Sequence, residues 1–435
     1  MKTLAIQDNP NVGRLSVQRP RNLSAKLTSY FGAQATVQLA NILTGFLLIR
    51  ALDKSQYGWF TIVTGAMAMI SVLADSGLGS AFTAIGGKTY QEPGVFAGLA
   101  AFMRRKRLQF LIVACGLVLP VNAWALHKNG ASPTTTVILL TLIVIAAIPS
   151  TDAVVLMTVN KLFSRVRNIV LADLLLSLSK LGLVLFVCWL GISTISATIC
   201  VLCSLWFQIT LLQRQTSDVL KTEVSSVEDY VPQINQTVLH VLPTCIFTCV
   251  QAQLATYILS FFASVEQVAD LGALMRLAVA FTFLTIPLQQ IFLPRIARCQ
   301  ERARLKYSIA GTLIGGAVAA LTVVIAGSLF APWLLMLLGE KYAHLDHELI
   351  IFLAVTAVGF LASAAWGIAF TRAWVLHGWA NIPIAIALQF AIAPFIDFTQ
   401  VSGVIVFASV SHLASLAVAG CLIVTGYRRE FSQPV

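Results

Sequence analysis

Charged side chains are scarce in this chain. They make up 11% of its 435 residues, against 58% hydrophobic residues and a mean hydropathy of +0.84. A soluble globular protein carries about 25% charged residues, so a soluble enzyme is excluded. No run of polar residues is long enough to form a separate soluble domain. There is no phosphate-cradling GxxxxGK[ST] loop, which excludes ATP hydrolysis by this chain, and no HExxH or GxSxG site. Segments of about ten residues that alternate apolar and polar, as a membrane β-barrel requires, do not occur. The eight cysteines imply no disulfide framework. Cys200/Cys203 and Cys245/Cys249 have metal-like spacing, but cysteine in an apolar helix behaves as a small hydrophobe, so no metal and no cofactor are expected.

What the chain does have is apolar runs of about 20 residues from end to end, the length a helix needs to cross a hydrocarbon core of about 30 Å. Twelve spans are read, at 27–49, 58–86, 107–126, 134–158, 169–190, 194–213, 238–262, 268–292, 307–330, 347–369, 379–396 and 401–425. The fold class is therefore an all-α polytopic membrane protein. Residues 1–26 are polar and basic and lack the apolar core of a signal peptide. They read as a cytoplasmic arm.

The net charge of +11 raises nucleic acid as a partner, but the placement of the charge argues against it. Basic residues cluster in alternate loops. One side holds the N-terminal arm, Lys88 with Arg104–Arg107, Lys161/Arg165/Arg167, Arg214/Lys221, the Arg295–Lys306 group, Arg372 and Arg428/Arg429. The other holds only Arg50, Lys54, Lys128 and Lys341. The positive-inside rule then puts both termini in the cytoplasm, and the partner it implies is membrane lipid.

The longest polar stretch between spans, 214–237, separates an N-terminal lobe (27–213) from a C-terminal lobe (238–425), with a tail at 426–435. A weak repeat supports the division. Leu47–Phe60 (LLIRALDKSQYGWF) and Ile258–Leu271 (ILSFFASVEQVADL) each end one helix, turn tightly and start the next, 211 residues apart. The two halves have the same orientation. They form a parallel repeat about an axis along the membrane normal, and the substrate site is expected between them.

The stretch Asn41–Phe82, with Arg50 ending the first helix, a turn carrying Tyr57-Gly58, and the Asp75–Ser80 run, resembles the N-terminal signature of polysaccharide-biosynthesis flippases. These belong to the multidrug/oligosaccharidyl-lipid/polysaccharide exporter superfamily. The second half echoes it, with Gln253–Leu277 followed by Leu293–Arg298 (LPRIAR). The resemblance implies a V-shaped, two-lobed transporter in a bacterial inner membrane that works by alternating access. Its substrate would be an undecaprenyl-pyrophosphate-linked oligosaccharide, an O-antigen or exopolysaccharide repeat unit. A polysaccharide polymerase and a chain-length regulator are the partner proteins so implied.

Charges inside the spans carry the functional reading, because an ionised group near the bilayer centre is costly and usually marks a substrate or ion path. At about 1.5 Å per residue, only Lys180 and Arg276 fall near the middle. Both are cationic, and both would suit a phosphate or pyrophosphate. The competing reading is internal ion pairing, Lys180 with Asp173 and Arg276 with Asp270. Gln34, Gln38 and Asn41 share one face of the first span, where they would either contact sugar hydroxyls or bond to other helices. Arg50 at the outer end is a substrate contact or an interfacial anchor. Asp75, Asp152 and Asp173 lie toward the cytoplasmic edge as candidates for gating or coupling, although Asp75 in an Asp-Ser-Gly-Leu-Gly run could simply bend a helix end. His344-Leu-Asp346-His347-Glu348 reads as a solvated loop, and His240 and His412 alone make no proton path. Two other functions compete. A cation-coupled drug exporter of the same superfamily needs a buried carboxylate in the first half. A membrane-embedded glycan polymerase or ligase needs large outer loops, and the longest here has about 16 residues.

Overall fold

The computed structural model describes residues 21–221, 225–299, 301–375 and 378–431. The expected arm up to residue 20, part of the linker (222–224) and the end of the tail (432–435) lie outside the described residues. The first seven helices are α1 (Arg21–Ala51), α2 (Lys54–Asp75), α3 (Leu78–Thr89), α4 (Pro93–Lys128), α5 (Pro133–Leu162), α6 (Val166–Leu190) and α7 (Thr194–Leu220). Then come α8 (Val231–Phe262), α9 (Val265–Leu277), α10 (Val279–Pro287), α11 (Leu293–Arg298) and α12 (Arg302–Leu329). The last four are α13 (Ala331–Leu338), α14 (Asp346–Thr371), α15 (Asn381–Ile392) and α16 (Val401–Glu430). Among the described residues, twelve helical segments are long and apolar enough to cross a membrane. The lipid-facing sides are apolar, as in Ile112, Leu117, Trp189 and Phe390, and α-helices satisfy the backbone where water is absent.

Two expected spans are broken. The run 58–86 divides at Ser76 (φ 37°) and Gly77 (φ 87°), where the chain enters the left-handed region and ends α2. The Asp75 carboxylate then accepts the Gly79 N–H at 3.1 Å, starting α3. The bend read at Asp75–Gly79 is therefore real, and it comes before the end of the expected span. The run 268–292 divides into α9, α10 and a π-helical turn at Leu288–Phe292 before α11. Other helices outrun the expected spans: α4 begins at Pro93, not near 107, so Arg104 and Arg107 lie on a helix and not in a loop. Likewise α7 reaches Leu220, where Asp218 pairs with Arg165 at 2.6 Å. Polar residues extend these helices because ion pairs sustain them beyond the expected spans.

The parallel repeat is visible in the contacts. Ser55 donates to Glu266 at 3.5 Å, and a Cβ on Gly272 would stand 2.2 Å from Thr61 Oγ1. Each pair is separated by the repeat offset of 211. Residues that touch their own repeat mates lie on the pseudo-twofold axis, so the axis runs between α2 and α9. Close approach there needs small residues, as in other membrane helix pairs. A Cβ on Gly58 would lie 2.5 Å from the Val265 carbonyl oxygen, and one on Gly65 would lie 2.4 Å from Gln253 Oε1.

The lobes meet unequally at their two ends. In the half away from the termini, one apolar core runs through both lobes, from Ile49, Tyr57 and Ile62 to Leu274, Tyr342 and Leu349. Lys54 pairs with Asp270 at 2.8 Å, and Lys341 donates to the Leu52 carbonyl at 3.0 Å. In the half that carries the termini, the cores are separate. One joins α3, α4 and α5 with the start of α8 around Phe82, Phe96 and Ile234. Another joins α11, α12, α14 and α16 around Ile296, Ile368 and Ala419. Gly58→Ala, facing a backbone oxygen that no rotamer change can move, should cost about 1–3 kcal/mol by overpacking. A lowered thermal unfolding midpoint in detergent is the expected result, and an unchanged midpoint would contradict the packing described.

Candidate functional site

The cationic cavity is lined by six helices, α1, α2, α6, α7, α8 and α9. Lys180 lies 14 positions into α6, about 21 Å from its start. Its ammonium donates to Asn41 Oδ1 on α1 at 2.7 Å. Asn41 in turn donates to Ser177 Oγ, one turn before Lys180, at 3.5 Å. Arg276 stands near the end of α9, and its Nε donates to the Tyr57 hydroxyl of α2 at 3.2 Å. The Tyr57 hydroxyl in turn donates to the Gly272 carbonyl at 3.3 Å. The aliphatic stem of Arg276 lies against Gly45 of α1, where a Cβ would be 3.3 Å from Cδ. Lys180 and Arg276 thus face one cavity of about 370 Å³, also lined by Thr44, Thr64 and Gln253. No carboxylate is among its lining residues.

The internal ion pairs of the competing reading are not made. Asp270 is taken by Lys54 at 2.8 Å and His344 at 3.4 Å. Asp173 accepts instead from Gln208 Nε2 at 3.5 Å. Among the described residues, neither Lys180 nor Arg276 has a carboxylate within ion-pairing distance. Both cations are held by neutral oxygens that orient them without discharging them.

The other sequence candidates are distributed differently. Gln34 and Gln38 are half-buried on α1 and do not line the cavity. Arg50 is exposed at the outer end, and donates to the carbonyls of Met336 at 2.8 Å and Leu337 at 3.0 Å. It caps the last turn of α13, as a cation at a helix C-terminus should. Asp75 pairs with Arg107, and Asp152 is gripped by both arms of Arg104. Arg104 and Arg107 are three apart on α4, so they share a helix face. That spacing was the available signal for these partners. None of Asp75, Asp152 and Asp173 faces the cavity.

A second cavity of about 520 Å³ opens within the C-terminal lobe. It is lined by α8, α9, α10, α14, α15 and α16, and it shares Thr256 and Met275 with the cationic cavity. Its lining is apolar and neutral-polar, with His412 the only titratable side chain in it.

No protein-family model matches this chain, and no curated protein matches it by sequence. Solved structures do. An inward-facing multidrug-resistance MATE-family transporter of the MOP superfamily (the exporter superfamily above) superposes with a TM-score of 0.65 at 17% identity, over 91% of this chain and 95% of its own. A MOP-superfamily transporter from Pyrococcus furiosus, described as having a binding pocket of reverse polarity, gives 0.61 at 17% identity, over 92% and 93%. The lipid II flippase MurJ in an inward closed conformation gives 0.62 at 11% identity, over 93% and 90%. This chain has the MOP-superfamily transporter fold. At these identities the likeness establishes the architecture and leaves the substrate open.

The pairing pattern makes opposite predictions for two arginines. Arg107→Leu strands the Asp75 carboxylate and should cost about 2–3 kcal/mol, a partly exposed version of breaking a buried pair. Arg276→Met strands nothing and should leave the thermal midpoint near wild type. Equal losses in detergent melting would contradict the assignment of Arg276 as unpaired.

Proposed function

We propose that this protein flips a polyprenyl-pyrophosphate-linked oligosaccharide across a bacterial inner membrane by alternating access. One observation carries the reading: two cations meet at a central cavity that has no carboxylate in its lining. A cation held in a low-dielectric interior needs water or an opposite charge. Here the counter-charge is the substrate's pyrophosphate. Arg276 offers a planar donor fork and Lys180 a point charge, while Asn41 and Tyr57 fix their positions. The lipid tail stays in the bilayer throughout, and no covalent bond changes.

We take the cytoplasmic leaflet as the loading side: the apolar core that runs through both lobes lies away from the termini, and near the termini the lobes meet through the start of α8 against α3, α4 and α5, with the basic loops and both termini in the cytoplasm. Asp75 and Asp152 then hold the loading end together through Arg107 and Arg104, and gate it by keeping α4 on α2 and α5. A polysaccharide polymerase and a chain-length regulator are the proteins that would consume the product on the outer side. A cation-coupled drug exporter is the second reading within the same fold. It calls for an acid facing a cavity, and among the described lining residues there is none.

Complementation tests the proposal. In a strain lacking its own surface-polysaccharide flippase, the wild-type gene should restore surface glycan, while Lys180→Glu and Arg276→Glu, expressed at equal levels, should lower it at least tenfold. Full activity of both charge-swapped variants would refute the role of the cations. Failure of the wild type to restore any glycan, with lowered drug accumulation, would favour the exporter.

A further inference from the structure

We infer that the cavity of the C-terminal lobe is the glycan subsite, taking the uncharged sugars nearest the pyrophosphate. This rests on the reading above and assigns a place to the part of the substrate that the cations do not touch. The sequence offered Gln34, Gln38 and Asn41 either as contacts for sugar hydroxyls or as bonds to other helices. Of these, Asn41 is occupied by Lys180, and the two glutamines do not line the cationic cavity.

Three features of the C-terminal cavity fit a neutral polyol. The first is size: about 520 Å³ lies within the range of roughly 300–1,000 Å³ typical of ligand sites. The second is the state of its hydroxyls. Thr248, Thr285, Thr356 and Ser409 each donate to a carbonyl of their own helix, at 2.6–3.1 Å. Such back-bonding satisfies the hydroxyl proton and leaves the oxygen's lone pairs free. The wall therefore presents acceptors, which is what sugar O–H donors need. Two donor-capable groups complement them. The Asn381 Oδ1 accepts from Ser415 at 3.0 Å, which fixes the amide with its N–H₂ unspent. His412 has no protein hydrogen-bond partner at either ring nitrogen among the described residues. Its ring packs over Gly359, where a Cβ would be 3.2 Å from Cδ2. The third feature is position. Thr256 and Met275 line both cavities, and Met275 is the neighbour of Arg276. A group covalently attached to a phosphate at Arg276 would reach this pocket directly. Phe247, Phe281 and Phe360 supply apolar surface for the C–H faces of the sugar rings. The lining carries no lysine or arginine to counter the charge of a phosphate.

Two probes separate the subsites: undecaprenyl pyrophosphate without sugar, and the undecaprenyl-pyrophosphate-linked oligosaccharides extracted from the producing cells. Binding is measured on purified protein in nanodiscs. Wild type should bind the glycan-bearing lipid about tenfold tighter than the bare one. His412→Ala with Asn381→Ala, and separately Ser409→Phe to fill the pocket, should abolish that preference and leave bare-lipid affinity unchanged, which also shows that the variants are folded. Lys180→Gln should weaken both lipids alike. If wild type does not discriminate between the probes, or if the pocket variants keep the preference, the glycan subsite is wrong. If Lys180→Gln leaves both affinities intact, it is the pyrophosphate reading that fails.

Discussion

A cation inside a bilayer must be matched by an opposite charge or kept wet. The arrangement of this protein depends on how it meets that constraint twice without an acid. The carboxylates within reach are assigned elsewhere: Asp270 to Lys54 and His344, Asp75 to Arg107, and Asp152 to Arg104. Lys180 and Arg276 receive only the neutral oxygens of Asn41 and Tyr57. Those contacts hold the charged heads in place and leave their field intact. The cavity lined by α1, α2, α6, α7, α8 and α9 remains open because the cations cannot be packed away.

The same helices set the relation between the lobes. Thr61 and Gly272, repeat mates 211 positions apart, touch across the pseudo-twofold axis, just outside the level of the cations. Small residues let α2 and α9 approach there, and the apolar core beyond closes that end. Toward the termini, α11, α12, α14 and α16 of the C-terminal lobe keep a core of their own, while the start of α8 packs into the core of α3, α4 and α5. The bonds that cross at the joined end, such as Lys54 to Asp270, Arg50 to the α13 carbonyls and Lys341 to Leu52, are few enough to be exchanged as a group.

Much of this was legible in the sequence, for reasons particular residues make plain. Hydropathy located the twelve spans because lipid demands apolar length. The repeat showed through hydropathy and turn pattern, although only Leu48/Leu259 and Gln56/Gln267 matched within it. Lys180 and Arg276 stood out by depth alone. The Asp-Ser-Gly-Leu-Gly run offered a bend at Asp75–Gly79 as one reading, but the expected span still ran through it to residue 86, past the break at Ser76 and Gly77. The sequence did not reveal the pairing of Arg107 with Asp75, because a basic cluster reads as a loop when the helix carrying it outruns the expected span. The C-terminal cavity was invisible for a different reason. Its polar lining is spread over several helices, one or two neutral residues on each, and it forms only when those helices are packed. For Gln34 and Gln38 the sequence left two readings open, because a polar stripe shows that a face is wet or paired, without showing what it meets.

The central claim is that the cavity selects an anionic lipid-linked glycan. The most direct test is transfer in vesicles containing only the purified protein. A leaflet-specific probe would follow undecaprenyl-pyrophosphate oligosaccharide, and a fluorescent lipophilic cation would be followed in parallel under an imposed proton or sodium gradient. The account predicts that the glycan lipid crosses between leaflets in a protein-dependent way and that the cation is not moved. Gradient-driven movement of the cation, with the glycan lipid left in its original leaflet, would contradict it.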